Sequence, residues 1–254
     1  MRQRLRELAS SAWDQHEAAT HEQLPHLVRP SIPILFFGDS ERFAASPLRV
    51  ITVGLNPSRE EFPHDAPFRR FRAAASLKRE NPDTYLAALD GYFRTSPYTR
   101  WFNPAFEPFL RALGASYYDR EPSTALHTDL CSPLATDPTW SRLATHEQAT
   151  LQPAGQRLWH DLVEALQPDV VLISVSRHRL NLLAFPTVEP AIVMHTVDGP
   201  GRARPYPVEQ FRCRLASGKV PLFVFGQAAQ TPFGTISAAD KQRVGASILR
   251  ALRA

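Results

Sequence analysis

The segment Pro168-Asp-Val-Val-Leu-Ile-Ser-Val175 constrains the fold more than any other part of the chain. Pro168 ends whatever helix precedes it, and the residues after Asp169 are apolar on both faces of an extended strand. A strand of that kind must be covered from both sides, which is the situation of parallel strands in α/β domains. Other segments fit the same plan. Leu48-Arg-Val-Ile-Thr-Val53 reads as a strand that stops at Gly54, residues 125–131 as a second strand, and 191–194 and 220–225 as further ones. Residues 3–20 carry Leu5, Leu8, Ala12 and Trp13 on one helical stripe. Asn103-Pro104 opens a helix that Gly114 closes, with Phe106, Phe109, Leu110 and Leu113 at helical spacing. A helix over 154–167 turns Leu158, Leu162, Val163 and Leu166 inward. Ser237-Ala-Ala-Asp240 resembles a capping box ahead of a last helix with Val244, Ile248, Leu249 and Leu252 on its stripe. Strands alternating with helices predict an α/β fold, a three-layer α/β/α sandwich around a mostly parallel sheet of four to five strands. Without repeats or linkers, residues 1–254 read as a single domain with an N-terminal helical extension over about 1–30.

Composition narrows the function classes. Two cysteines, Cys131 and Cys213, exclude a disulfide scaffold and any four-cysteine zinc or iron–sulfur site; two reduced thiols are expected. The chain is mildly basic, with net charge +4, which permits an anionic partner without requiring one. No apolar run approaches the length of a membrane span, and acidic residues interrupt the N-terminal segment before any signal-like core. A soluble, cytoplasmic protein is expected. Prolines outnumber glycines 23 to 11, which points to long stiff loops at 57–69, 132–153 and 196–221, where binding and chemistry usually sit.

In such sheets ligands bind beyond the carboxyl ends of the strands. The first such end is Gly54-Leu-Asn-Pro-Ser58, which is neither a dinucleotide fingerprint nor a Walker motif. Gly54 allows a turn without a Cβ clash, and Pro57 pushes Asn56 into an extended conformation. The asparagine is thereby held at the strand mouth, or else makes a local side-chain bond in a turn. At the second strand end, His127, Asp129 and Cys131 alternate onto one face. No further histidine is spaced to complete a metal site there, so neither metal nor other cofactor is expected. Asp129 itself is open to a strand-end Asx turn. Basic residues gather after the first turn (Arg69, Arg70, Arg72, Lys78, Arg79) and after the third strand (Arg177, His178, Arg179). They can meet phosphates or serve as solvated surface charge.

Gly54-Leu-Asn-Pro57 after the first strand resembles the first motif of the uracil-DNA glycosylase superfamily, closest to its mismatch-specific and single-strand-selective branches. Phe68 stands twelve residues beyond Asn56, similar to the family's base-stacking phenylalanine. Asp129-Leu-Cys-Ser-Pro-Leu134 resembles the Asn-Leu-Cys-Pro-Leu base-reading segment with one residue inserted. The strand 168–175 and the loop after it resemble the family's third strand and phosphate-contacting loop, and His195 follows an apolar stretch as the second-motif histidine does. The resemblance implies a monomeric DNA glycosylase that hydrolyses the N-glycosidic bond of a flipped-out base. Asn56 would orient a water and His195 would bond the departing base. Phe68 would stack on the base, with Phe62 or Phe71 as substitutes, in a pocket with Gly54, Leu55 and Asp129. Ser58, Ser176, Arg177, His178, Arg202 and Arg204 would meet DNA.

The chain departs from the pattern in two places. His195-Thr-Val replaces His-Pro-Ser, so the DNA-wedging loop is either 196–206 or 226–233. Asp129 replaces the asparagine of uracil readers. An ionised carboxylate only accepts hydrogen bonds; it would repel uracil O4 but accept from the exocyclic amine of cytosine. The implied substrate is a cytosine with a bulky 5-substituent, such as glucosylated 5-hydroxymethylcytosine, which phage-defence members of the family remove. Loops 92–101 and 202–206 would hold the sugar. The alternatives are a uracil-excising repair enzyme, a catalytically silent nucleic-acid binder and a small-molecule hydrolase.

Overall fold

A computed structural model describes residues 1–77, 79, 81–118, 121–198 and 204–253. The helices are α1 (Arg2–His21), α2 (Ser40–Ala45), α3 (Pro82–Asp90), α4 (Tyr92–Thr95), α5 (Thr99–Ala105), α6 (Glu107–Ala112), α7 (Thr145–Leu166) and α8 (Ala238–Arg253). The strands are β1 (Val50–Gly54), β2 (Ala115–Ser116), β3 (Ser123–Thr124), β4 (Leu126–Asp129), β5 (Val170–Ile173), β6 (Thr187–Val197), β7 (Tyr206–Cys213) and β8 (Leu222–Gly226). Among the described residues one sheet has the order β4-β1-β5-β8-β7-β6, and β2 and β3 form a separate parallel pair. β1 runs parallel to β5 and β5 to β8, in registers Val50↔Val170 and Val170↔Leu222. β7 is antiparallel to both β8 and β6. The fold is α/β with a mostly parallel sheet. None of the described helices is long and apolar enough to cross a membrane.

The sheet has six strands where four to five were expected. The difference arises at 196–221, which the prolines mark as loop but which contains β7. In Tyr206-Pro-Val-Glu-Gln-Phe-Arg-Cys213 only Tyr206, Val208 and Cys213 are buried. A strand so weakly alternating gives little periodic signal. The strand read at 191–194 extends to an eleven-residue, largely exposed β6 with irregular register against β7.

The chain divides into two compact units, each assembled from several segments. The first comprises 1–44, 54–98 and 126–166. Its α1 buries Leu5, Leu8, Ala12 and Trp13 as the stripe requires, and it packs on α3 and α7. α7 begins at Thr145 rather than 154, and Pro153 lies inside it. The Glu147 carboxylate accepts the Ala144 N–H at 2.7 Å, which supports a first turn upstream of the proline. α7 then crosses the segment after β4 at Gly155, where a Cβ would lie 2.1 Å from the Cys131 carbonyl oxygen. Trp159 donates to Thr128 Oγ1 at 3.0 Å, fixing β4 from the same helix. Burying these apolar stripes stabilises the unit by roughly 25 cal/mol per Å² removed from water.

The second unit comprises 45–53, 99–125 and 167–254. The helix expected over 103–113 is two, α5 and α6, because Pro104 sits near the end of α5 and Phe106 separates it from Glu107-Pro108 at the start of α6. Phe106, Phe109, Leu110 and Leu113 are nevertheless all buried. α8 opens on the expected capping box, with Asp240 N–H donating to Ser237 Oγ and Ser237 N–H to Asp240 Oδ2, both at 3.1 Å. On α8, Val244 and Ile248 are buried while Leu249 and Leu252 are half-buried. Cys131 of the first unit and Cys213 of the second are buried and not joined in a disulfide.

Candidate active site

Within the first unit, the turn after β1 and the segment after β4 run side by side. Leu130 N–H donates to Gly54 O at 3.1 Å, Cys131 N–H to Leu55 O at 2.8 Å and Thr136 N–H to Pro57 O at 3.2 Å. These bonds bring the two strand-end motifs of the sequence together around Asn56 and Asp129.

Asn56 does not make a local turn bond. Its Nδ2 donates to Leu134 O at 3.0 Å and to Thr136 Oγ1 at 2.9 Å. The orientation of the amide follows from its partners. A backbone carbonyl can only accept, and Thr136 spends its own hydrogen on Pro138 O at 3.0 Å, so its oxygen also accepts here. Both amide hydrogens are therefore used, and Oδ1 has no donor among the described residues. The result is a fixed amide with its acceptor oxygen uncommitted on a half-buried residue.

Asp129 and His127 lie on one face of β4 as the alternation predicts. Their side chains are 4% and 2% exposed, and His127 Nε2 is 3.7 Å from Asp129 Oδ1. Gly54 makes room for both: a Cβ there would be 2.5 Å from Asp129 Oδ1 and 3.0 Å from His127 Nε2. The backbone of Gly54 is not left-handed. The glycine is thus required by side chains crossing over it, and not by the turn itself. Leu55 is half-buried beside it.

An aromatic cluster borders this face. Phe62 stacks on Phe71 with centroids 5.6 Å apart, Phe71 lies 5.3 Å from Tyr92, and Phe37 stands between Tyr92 at 4.8 Å and the His127 ring at 5.6 Å. Phe68 meets Phe62 edge-on at 6.3 Å. Phe62 and Phe71 are fully enclosed, so neither can offer a ring face to a ligand. Phe68 is half-buried and does retain accessible surface.

Sequence reasoning missed Glu61. It ends the short helical turn Arg59–Glu61 after the first motif, with its side chain 6% exposed. Tyr92 donates to its Oε2 at 2.6 Å. Arg70 Nε lies 3.8 Å from the same oxygen, but Arg70 donates to Glu60 O at 2.9 Å and to Ser96 O at 2.7 Å. Burial pushes the Glu61 carboxyl up to about 7; the charges of Asp129 and Glu60 add to this, while Tyr92 and Arg70 oppose it. The Tyr92 phenol is held well above its ordinary range by burial and by Glu61. A second glutamate beside Glu60 in a polar loop reads as surface charge, and only the fold reveals that one of the pair turns inward.

The remaining predicted residues are dispersed. Ser58 caps the turn 59–61, accepting from Glu60 N–H at 3.3 Å. Of the basic cluster after the first motif, Arg69 pairs with Asp65, Arg79 pairs with Asp14 and Glu17 of α1, and Arg70 is turned inward. These are intramolecular contacts where phosphate binding had been an option.

In the second unit His195 is half-buried within β6, opposite Val208 of β7. Ser176 precedes the helical turn Arg177–Leu182, its Oγ 3.5 Å from His178 Nε2, and His178 is exposed. Arg177 forms a two-pronged pair with Glu209 and covers the Phe225 ring at 5.1 Å, so its charge is already matched. Arg204 is exposed, and Arg202 lies outside the described residues. Of the two candidate wedging loops, 196–206 falls partly outside them as well. In 226–233, Phe233 is fully buried against Phe109 and its N–H donates to Ser174 Oγ at 2.8 Å, which leaves that ring unavailable for insertion.

No protein-family model matches the chain, and no curated protein matches it.

Proposed function

We propose that this chain is a monofunctional DNA glycosylase of the uracil-DNA glycosylase superfamily type, acting on a flipped-out pyrimidine and leaving an abasic site. The observation that carries the reading is the Asn56 amide, both of whose hydrogens are committed so that its oxygen is left to hold a water. A carboxamide cannot abstract a proton at neutral pH, but it can fix an attacking water beneath the sugar carbon, and positioning alone lowers a barrier substantially. The base departs as the sugar passes through an oxocarbenium-like state, as in glycoside hydrolysis, with DNA phosphates and fixed dipoles stabilising the developing charge.

The half-exposed Phe68 supports a stacking role, since base–aromatic stacking contributes about 1–3 kcal/mol per base. Asp129, an acceptor packed over Gly54 and almost closed off from water, is the group that would read an exocyclic amine, and hence a modified cytosine over uracil. A site built for one hydrogen-bond pattern leaves buried groups unpaired with the other. A glucosylated or otherwise bulky 5-substituted cytosine, and with it a role in phage defence, is the substrate proposed. Also part of the proposal are the three-layer arrangement of that superfamily, a monomer, a cytoplasmic location, His195 as the partner of the departing base, and DNA contacts from Ser58, Ser176, His178, Arg202 and Arg204. Incubation with single- and double-stranded oligonucleotides carrying uracil, cytosine, 5-hydroxymethylcytosine or its glucosylated form, scored for alkali-labile breaks, tests it. Breaks at the modified cytosine support the reading, breaks at uracil alone shift it to a repair enzyme, and salt-dependent binding without breaks leaves a silent relative.

A further inference from the structure

Glu61 has no part in the reading above, yet it is a carboxyl almost closed off from water on the segment that carries Asn56. The segments 54–61 and 129–136 are joined by backbone bonds from Leu130, Cys131 and Thr136, and Ser58 bridges to Thr136. Glu61 and Asp129 therefore sit on two strips held against each other, and the charge of Asp129 acts on Glu61.

The groups facing Glu61 come from every side. Tyr92 of α4 donates to Oε2, and the Tyr92 oxygen is itself fixed by the Tyr98 N–H at 2.9 Å. Arg70 approaches the same oxygen but directs its Nε and Nη1 hydrogens to the carbonyls of Glu60 and Ser96. Glu60 is exposed at the neighbouring position, and the charge of Asp129, which lies beside His127, acts on Glu61 from the paired strip. Glu61 and Asp129 are each almost closed off from water, and two such carboxyls whose charges act on each other do not both ionise readily. Arg70 keeps its charge and opposes the shift, but its Nε and Nη1 hydrogens go to carbonyls and not to the Glu61 carboxylate, so burial prevails.

We propose that Glu61 is a positioning residue of this site that retains a proton, so that Asp129 alone presents negative charge to the base edge. The inference rests on the glycosylase reading for the word "base", but the division of charge between the two carboxyls does not. With Oε2 accepting from Tyr92, Oε1 carries the proton. One charge in the pocket matches a single amine donor; a second would oppose both the incoming phosphates and a base departing as an anion.

Two measurements separate the parts. Carbon-detected NMR of the side-chain carboxyls follows Glu61 through pH in the full chain. Glu61 is expected to titrate near pH 7, to move down only in part in Asp129→Asn, where burial still holds it above the ordinary carboxylate range, and to move up in Tyr92→Phe, which removes a bond to the ionised form. A Glu61 that titrates at the same pH in wild type and in Asp129→Asn overturns the proposal, and the Tyr92→Phe shift provides a second check should Asp129→Asn fail to fold. Excision assayed between pH 6 and 8.5 is expected to fall roughly tenfold per pH unit above about 7 in the wild type. In Glu61→Gln the rates at the two ends stay within about twofold of each other. An unchanged alkaline fall in that variant also overturns the proposal. Coupled titration with no excision from any substrate keeps the charge division and defeats the glycosylase reading instead.

Discussion

Replacing Gly54 with alanine tests whether the turn after β1 and the carboxylate after β4 form one site. The added methyl would meet Asp129 Oδ1 at 2.5 Å and His127 Nε2 at 3.0 Å, so the carboxylate must retreat by about 0.9 Å to reach ordinary contact. The backbone at Gly54 is one that alanine adopts freely. Overpacking of this kind costs about 1–3 kcal/mol, and the loss of unfolded-state freedom returns about 0.4–1, leaving about 1–2 kcal/mol and a fall in Tm of about 2–8 °C. A displacement near 1 Å in a positioning site costs on the order of a hundredfold in rate. The expected signature is a modest loss of stability with a large loss of excision, read by thermal unfolding and by abasic-site formation on one preparation. Asp129→Ala in the same background removes the atom the methyl strikes. The two substitutions should therefore couple by about 0.5–3 kcal/mol in a stability cycle. Strict additivity of the pair, together with wild-type excision in Gly54→Ala, would refute the close approach.

Further expectations follow from the same contacts. Thr136→Val removes an acceptor of the Asn56 amide and should cost about 1 kcal/mol in denaturant unfolding, with excision falling by about tenfold or more as the amide loosens. Phe62→Ala should destabilise by about 3–5 kcal/mol because the ring is enclosed. Phe68→Ala should destabilise far less while weakening base binding by about 1–3 kcal/mol; equal stability losses would contradict the assignment of their roles. Glu61 carries its proton more tightly folded than unfolded, so its contribution is fully present below about pH 4.5 and is lost as pH rises toward about 7. Urea unfolding should accordingly show wild type losing up to about 3 kcal/mol relative to Glu61→Gln across that window, and parallel pH curves would contradict it.

The buried runs were legible because their physics is local. The apolar strand at 170–173 and the stripes of α1 and α7 lie where periodicity places them, and the Ser237–Asp240 cap forms as its spacing implies. β7 was not legible, since a strand that buries only Tyr206, Val208 and Cys213 carries little alternation. The first-turn motif was visible in sequence, but the reason for its glycine was not. Asp129 and His127 lie more than 70 residues from Gly54, and only the approach of the two segments brings them over it. Glu61 was hidden for a related reason: its burial depends on Tyr92 and Arg70 reaching it from separate segments. Arg79 and Arg177, open in sequence to phosphates or to surface charge, find acidic partners within the chain that spacing does not reveal.

Mass-spectrometric detection of free base released from a glucosylated 5-hydroxymethylcytosine oligonucleotide, with wild type and Asn56→Ala side by side, bears most directly on the account. It predicts release by the wild type, loss of roughly a hundredfold or more in the variant, and nearly equal DNA affinity for both. Release at the same rate by Asn56→Ala, or none by the wild type from any pyrimidine substrate, would contradict it.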